Sequence, residues 1–94
     1  MTSDPFFRML VEDTFTIDGR GLVATGRVER GELRVGDTIA IRRQDAEELV
    51  VVTAIEAFQK TLKVASRGDY IGILFGRLPQ TGVQCGDILS GAVF

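Results

Sequence analysis

The chain has 94 residues, of which 45% are hydrophobic and 26% are charged, and its formal net charge is −2. This length predicts a single domain over residues 1–94, and the composition is typical of a globular protein rather than a disordered or fibrous one. The sequence contains no histidine and only one cysteine, which excludes histidine-dependent nucleophiles, imidazole metal sites, cysteine-rich zinc sites and an internal disulfide.

The same composition constrains the location and the cofactors of the protein. The apolar runs are far shorter than the roughly 20 residues of a membrane span, so we expect no membrane segment. The lone cysteine, Cys85, fits a reducing compartment, and a cytoplasmic location is expected. The remaining chemistry-bearing side chains are scattered carboxylates, arginines and two lysines, so we predict no enzyme, no metal and no cofactor.

Short stretches rich in Val, Ile, Leu, Phe and Thr lie between glycines along the whole chain, which is typical of an all-β domain. Strands are predicted, in chain order, over residues 7–17 (one or two strands), 22–29, 38–42 and 49–58. The segment Asp18-Gly19-Arg20-Gly21 predicts a hairpin connection, because glycine adopts positive φ without steric cost. A glycine-bounded turn is predicted over residues 30–37 and a polar loop over residues 43–48.

The stretch from residue 46 to residue 58 also fits an amphipathic helix. Three consecutive valines at positions 50–52 favour the strand, because β-branched side chains lose rotamer freedom in a helix. Alternation along the strands predicts a buried set consisting of Val23, Val28, Ile39, Val51, Ile55, Ile73 and Leu89.

A Gly-Asp pair precedes an apolar strand three times, at residues 36–37, 68–69 and 86–87. Each pair places a permissive glycine and a turn-favouring aspartate directly ahead of the strand. Repetition of this strand entry indicates a small closed or nearly closed barrel, in which each strand needs a sharp corner.

The arginines are concentrated between residues 20 and 43, where six of them stand against three acidic residues. This region fits either a solvated face with local ion pairs or a surface that contacts RNA. Within it, residues 21–28 share the two glycine positions of a P-loop, but Arg27-Val28 replaces the Lys-Ser/Thr that binds phosphate and magnesium. We therefore expect no nucleotide binding at this segment.

The thirteen residues from Gly19 to Gly31, GRGLVATGRVERG, resemble the signature of the second domain of elongation factor Tu and related translational GTPases. Supporting blocks follow in the same order over most of the chain: Val11-Glu12-Asp13, Val35-Gly36-Asp37, residues 55–60, residues 68–74 and residues 86–89. The resemblance implies a closed six-stranded antiparallel β-barrel. It also implies a module that sits beside a GTPase domain and helps to hold the aminoacylated 3′ end of transfer RNA.

The resemblance further implies an apolar pocket for the terminal adenosine, formed by Ile17, Val23 and Leu74 with the backbone of Gly19 close by. Glu56 matches the family's glutamate that contacts the terminal nucleotide, and Arg20 lies in the loop that the family turns toward ribosomal RNA. From the residues alone, the three apolar positions fit the core equally well, and Glu56 fits an outward strand position without a role.

The chain departs from the family pattern at the polar rim of this pocket. Gln59 replaces an arginine, and Tyr70 replaces an asparagine, so two polar groups that would bind a ligand are changed. Tyr70 also fits a residue that caps one end of the barrel. The family's Leu-Leu-Arg-Gly ending is here Leu74-Phe75-Gly76-Arg77, which moves the arginine by one position and, on a strand, to the other face.

The expected function is that of a non-catalytic binding module, because the sequence has no P-loop lysine and no Asn-Lys-x-Asp guanine motif. The leading hypothesis is contact with RNA, either the 3′ end of transfer RNA or ribosomal RNA, with Arg20, Arg27 and Arg30 as contact residues. The alternative is a protein-interaction module that docks on a separate GTPase domain and has lost RNA recognition.

Overall fold

The computed structural model describes residues 4–58, 60–75 and 82–92, which form ten β-strands and, within these ranges, no helix. The strands are β1 (Arg8–Leu10), β2 (Asp13–Ile17), β3 (Gly21–Arg30), β4 (Glu32–Arg34), β5 (Thr38–Arg43), β6 (Ala46–Ala57), β7 (Lys60–Leu62), β8 (Val64–Ser66), β9 (Tyr70–Phe75) and β10 (Ile88–Gly91). The described part of the chain has no helix of the length and hydrophobicity that a membrane crossing requires.

Six of these strands close into an antiparallel barrel in the order β1-β10-β5-β6-β9-β3. The ring is completed where β1 pairs with the C-terminal part of β3, with Met9 opposite Val28. β2 continues along the same edge of β3 toward its N-terminal end. β7 extends the sheet beyond β6, and β4 pairs with β8 as a separate two-stranded ribbon. The predicted all-β, six-stranded closed barrel is confirmed.

The core of the barrel consists of side chains from all six ring strands and from the ribbon. Its largest fully buried members are Phe7, Met9, Leu33, Ile39, Ile55, Ile71, Ile73 and Leu89. Burying one such side chain contributes about 1.5–3 kcal/mol. Six of the seven residues in the predicted buried set are at most 3% exposed.

The exception is Val51, which the sequence predicted to be buried and which is 48% exposed. The reason is a β-bulge at Thr53. Val52 lies opposite Phe75 and Ala54 lies opposite Leu74, so no residue of β9 lies opposite Thr53 in the register. An extra residue reverses the faces of every later side chain. Val50 and Val52 therefore point inward before the bulge and Ile55 points inward after it, which leaves Val51 outside.

The three Gly-Asp pairs form three turns with the same hydrogen bonds. The glycines have φ values of 93–96°, as the third position of a type II turn requires. Each glycine amide donates to the carbonyl of a buried valine at 2.8 Å, and that valine's amide donates back to the aspartate carbonyl at 2.8–2.9 Å. The tied pairs are Gly36-Asp37 with Val52, Gly68-Asp69 with Val28, and Gly86-Asp87 with Val11. Each turn thus fixes the start of one strand to a distant strand or strand end.

The aspartate side chain closes each turn by accepting the backbone amide three residues earlier, at 2.8–2.9 Å. At Asp87 the carboxylate also receives Nε and one terminal nitrogen of Arg43, at 2.9 and 2.8 Å. These hydrogen bonds from Arg43 lower the pKa of Asp87, although burial of the carboxyl works in the opposite direction. The pair fastens the end of β5 to the start of β10.

Two connections differ from the sequence-based expectation. The predicted polar loop over residues 43–48 is a two-residue turn, since Arg43 pairs with Ala46 and Gln44 adopts a φ of 51°. The predicted turn over residues 30–37 contains the strand β4, whose partner β8 lies in a stretch for which no strand was predicted. The amphipathic helix that residues 46–58 also fitted is excluded by β6.

Candidate functional site

A groove with a volume of about 320 Å³ lies on the outer surface of the barrel. It crosses the sheet formed by β2, β3, β9 and β6, and the residues that line it are Phe15, Ile17, Val23, Thr25, Glu56, Ala57, Phe58, Tyr70, Ile71 and Gly72. Most of this lining is apolar, and three of its side chains are aromatic.

The alternation of the strands explains why these residues meet on the outside. On β3, Ala24 and Val28 belong to the core cluster and Val23 does not; on β9, Ile73 belongs to it and Leu74 does not. Because successive side chains on a strand point to opposite faces, Val23 and Leu74 lie on the outer face, where the register places them opposite each other.

Gly72 lines the groove and leaves space that a side chain would occupy. It lies between Thr25 on β3 and Glu56 on β6 in the cross-strand register. A Cβ atom at this position would stand 3.1 Å from Val23 Cγ1 and 3.7 Å from Thr25 Cγ2. A methyl group would therefore fill the floor of the groove.

Glu56 is the acidic residue that lines the groove, and its side chain is 32% exposed. Its Oε2 accepts a hydrogen bond of 2.8 Å from Arg20, which projects from the β2–β3 turn. The bond holds this turn against β6 and leaves Oε1 available to a donor on a ligand.

Tyr70 stands at the far end of the groove and is 39% exposed. The guanidinium of Arg27 lies 5.8 Å from the centre of its ring, within the range of a cation–π interaction. Arg27 also donates to the carbonyl of Gly68 at 2.6 Å. This hydrogen bond fixes the Arg27 side chain that lies over the Tyr70 ring. The Tyr70 hydroxyl lies 3.5 Å from a carboxylate oxygen of Glu12.

Four of the predicted site residues, Ile17, Val23, Glu56 and Tyr70, line this groove together. Leu74 is buried beside Val23 without being part of the lining. Gly19 lies in the β2–β3 turn with a φ of 79°, and Gln59, Gly76 and Arg77 lie outside the described residues. Arg30 is exposed at the end of β3, opposite Arg8.

Six further residues line the groove that were not predicted from the sequence: Phe15, Thr25, Ala57, Phe58, Ile71 and Gly72. Alternation was a signal for three of them: Phe15 precedes Ile17 by two residues, Thr25 follows Val23 by two, and Gly72 lies between Tyr70 and Leu74. Phe58 gave no such signal, because its φ of 49° and its 92% exposure come from the β6–β7 turn.

The described lining of the groove has one acidic side chain among apolar and aromatic residues. Its one acid is paired with an arginine, and within the described residues no three Cys, Asp or Glu side chains cluster as a metal site would require. Apolar walls with one polar anchor are typical of a binding site.

Comparison with protein families agrees with this architecture. Residues 21–92 match the family model described as elongation factor Tu domain 2. The match begins at β3 and ends just after β10, so it includes five of the six ring strands and the β3, β6 and β9 walls of the groove. On this match and on the closed six-stranded barrel, the chain belongs to the elongation factor Tu domain 2 family.

Proposed function

We propose that this barrel is a non-catalytic, cytoplasmic binding module of a translation factor and that its groove takes the unpaired 3′ end of an RNA strand. The observation that supports the proposal is a single carboxylate, Glu56, set among apolar and aromatic walls. Aromatic rings bind an unstacked base, and a carboxylate accepts a hydrogen bond from a base edge or from the 2′-hydroxyl of a ribose.

The proposal is tested by fluorescence anisotropy with a short single-stranded RNA and with DNA of the same sequence. We expect tighter binding of the RNA, because Glu56 Oε1 can accept from the 2′-hydroxyl. Glu56→Gln keeps an acceptor oxygen but removes its charge, so RNA binding should weaken by about 1 kcal/mol, roughly fivefold, which is the difference between a charged and a neutral hydrogen bond.

The matched control is Glu47→Gln, because Glu47 also pairs with an arginine, Arg42, at 3.1 Å but lies on the β5–β6 face of the barrel. Gly72→Ala provides a second probe, since it fills the groove without removing any charge. Equal RNA binding by Gly72→Ala and the unaltered protein would contradict the proposal.

A second candidate function is docking on a separate GTPase domain. It is favoured by the exposure of Leu49 and Val51, 41% and 48%, which stand on the outer face of β6 ahead of the bulge. A protein interface built on these side chains would respond little to salt, whereas RNA binding weakens steeply as salt rises. Substituting Leu49→Ser should weaken such docking and leave RNA binding unchanged.

A further inference from the structure

Phe58, in the β6–β7 turn, combines two features that each cost free energy. Its φ is 49°, in the left-handed region where a bulky side chain is a rare outlier. It is 92% exposed, more than any other large hydrophobic residue in the described part of the chain. A glycine would form the same turn without strain and without placing a ring in water. Strained residues are concentrated at functional sites, so these two features make Phe58 a candidate for contact with a ligand.

A second cleft adjoins the groove at Phe58. Its volume is about 290 Å³, close to the 320 Å³ of the groove, and both cavities are lined by Ala57, Phe58 and Tyr70. The rest of its lining comes from β7, β8 and the turn ahead of β9, and consists of Lys60, Leu62, Val64 and Asp69. Two cavities of nearly equal size therefore meet at one exposed ring.

The two cavities also resemble each other chemically. Each has apolar walls and one carboxylate, which is Glu56 in the groove and Asp69 in the second cleft. One oxygen of each carboxylate is already bonded within the protein. Oε2 of Glu56 accepts from Arg20 at 2.8 Å, and Oδ2 of Asp69 accepts the amide of Ser66 at 2.9 Å. Such a pair of cavities suits a ligand built of repeating units, because two successive units would meet similar surroundings.

Charge does not attract a nucleic acid strand to the second cleft. Lys60 and Asp69 both line it, so the formal charges of its lining cancel. Stacking is the interaction that remains. The Tyr70 ring has the guanidinium of Arg27 5.8 Å from its centre, whereas the 92% exposure of Phe58 leaves both faces of its ring open. Recognition at this cleft therefore depends on the Phe58 ring.

We propose that Phe58 is a stacking platform between the last two bases of a single RNA strand, with the terminal base in the groove and the penultimate base in the second cleft. Every base has a π-face that can stack on an aromatic ring, so the platform accepts any base at the penultimate position. The inference rests on the proposed function of the groove and adds a separate site for a second nucleotide.

The test uses single-stranded RNA octanucleotides in which one base is removed at a time. The abasic residue is placed at the terminal, the penultimate or an internal position, and each strand is compared with the intact strand by fluorescence anisotropy. Loss of the terminal base reports on the groove, loss of the penultimate base reports on the second cleft, and the internal position is the control. We expect loss of the penultimate base to weaken binding roughly fivefold to 150-fold, as loss of a base–aromatic stack does.

Substitution of Phe58 shows whether this ring is the stacking partner. Phe58→Gly should weaken binding of the intact strand by at least the same factor, and loss of the penultimate base should then cost nothing further. Phe58→Tyr keeps a ring and should bind as tightly as the unaltered protein. The inference is wrong if the unaltered protein binds the penultimate abasic strand as tightly as the intact one, or if the loss persists in Phe58→Gly.

Gln44→Gly is the matched control for the change in the backbone. Gln44 also adopts positive φ, 51°, but it lies in the β5–β6 turn and lines neither cavity. Both glycine substitutions relieve strain, so neither should lower the urea concentration at the midpoint of unfolding. Only Phe58→Gly should weaken RNA binding. Equal weakening by both variants would overturn the inference, because the backbone of the turns and not the ring would then be responsible.

Two outcomes distinguish this inference from the groove proposal. A penalty for the terminal abasic strand without one for the penultimate abasic strand overturns the inference and leaves the groove proposal standing. No penalty for the terminal abasic strand, together with unchanged RNA binding by Gly72→Ala, contradicts the groove proposal, and the inference is then wrong as well.

Discussion

At the scale of the residue, Asp87 combines a structural role with a titratable one. It is 4% exposed, closes the turn that precedes β10, and receives two hydrogen bonds from Arg43. A carboxyl group whose pKa is lowered by folding stabilises the protein at pH values above its unfolded pKa, and that contribution is lost as the pH falls through its folded pKa.

We predict that Asp87→Asn lowers the free energy of unfolding at neutral pH and that this difference shrinks in acid. The unfolded pKa of an aspartate is about 3.9, so the two proteins should differ fully above that pH and converge below it. Urea unfolding at a series of pH values measures the difference. Asp45→Asn, at an exposed turn residue, is the control, and a constant difference down to low pH would show that the charge of Asp87 is not what matters.

At the scale of the element, the bulge in β6 decides which side chains support the core. We predict that Ile55→Ala costs about 2–5 kcal/mol, as large-to-small changes in a core do, whereas Val51→Ala changes stability by about 0.5 kcal/mol or less. Chemical denaturation of both variants tests this. Similar large losses for the two would mean that β6 runs without a bulge, since only then do residues 51 and 55 share a face.

Much of the fold could be predicted from the sequence, but the bulge in β6 could not. The run of valines and the Gly-Asp pairs specify strands and corners through local preferences. Thr53 has no such local signal, because its unpaired position depends on the register between β6 and β9, in which Val52 and Ala54 face consecutive residues. The two-stranded ribbon was missed for the same reason, since β4 and β8 are short and their partners lie far away in the chain.

The residues expected in the candidate site came from the family resemblance, since the apolar positions taken alone fitted the core equally well. Ile17 and Val23 line the groove, and alternation along their strands would have added Phe15 and Thr25. The contact between Arg20 and Glu56 joins segments that are remote in the chain, and no local pattern indicates it. The sequence therefore indicated several residues that line the groove, but not the contacts between them.

At the scale of the whole molecule, we predict that the purified chain neither binds nor hydrolyses GTP. Residues 21–30 form a continuous strand, whereas a P-loop must open a helix whose backbone amides cradle the phosphates. Isothermal titration calorimetry with GTP in the presence of Mg²⁺ measures binding, and phosphate release measures hydrolysis. Stoichiometric heat on titration would contradict this prediction.

We also predict that the barrel does not discriminate between aminoacylated and uncharged transfer RNA. Tyr70 brings a ring to the end of the groove where the family has an asparagine, and the loss of two polar contacts at about 1–3 kcal/mol each weakens binding roughly tenfold to ten-thousandfold. Tyr70→Asn combined with Gln59→Arg should not by itself restore tight binding. A gel-shift titration at low salt with the two forms is the measurement, and a clear preference for the charged form at micromolar protein would refute the prediction.

The three turns that are hydrogen-bonded to buried valines also bear on the order in which the barrel folds. They close loops of very different length: residues 36–52, residues 28–68 and residues 11–86. The entropic cost of closing a loop rises with its length, so we expect the ties to form in that order as the chain folds. Pulsed hydrogen exchange during refolding should protect the amides of Gly36 and Val52 first and those of Val11 and Gly86 last. Closure of the barrel at β1 would then be the final event, which makes the N-terminal strand the part of the molecule that opens first when it unfolds.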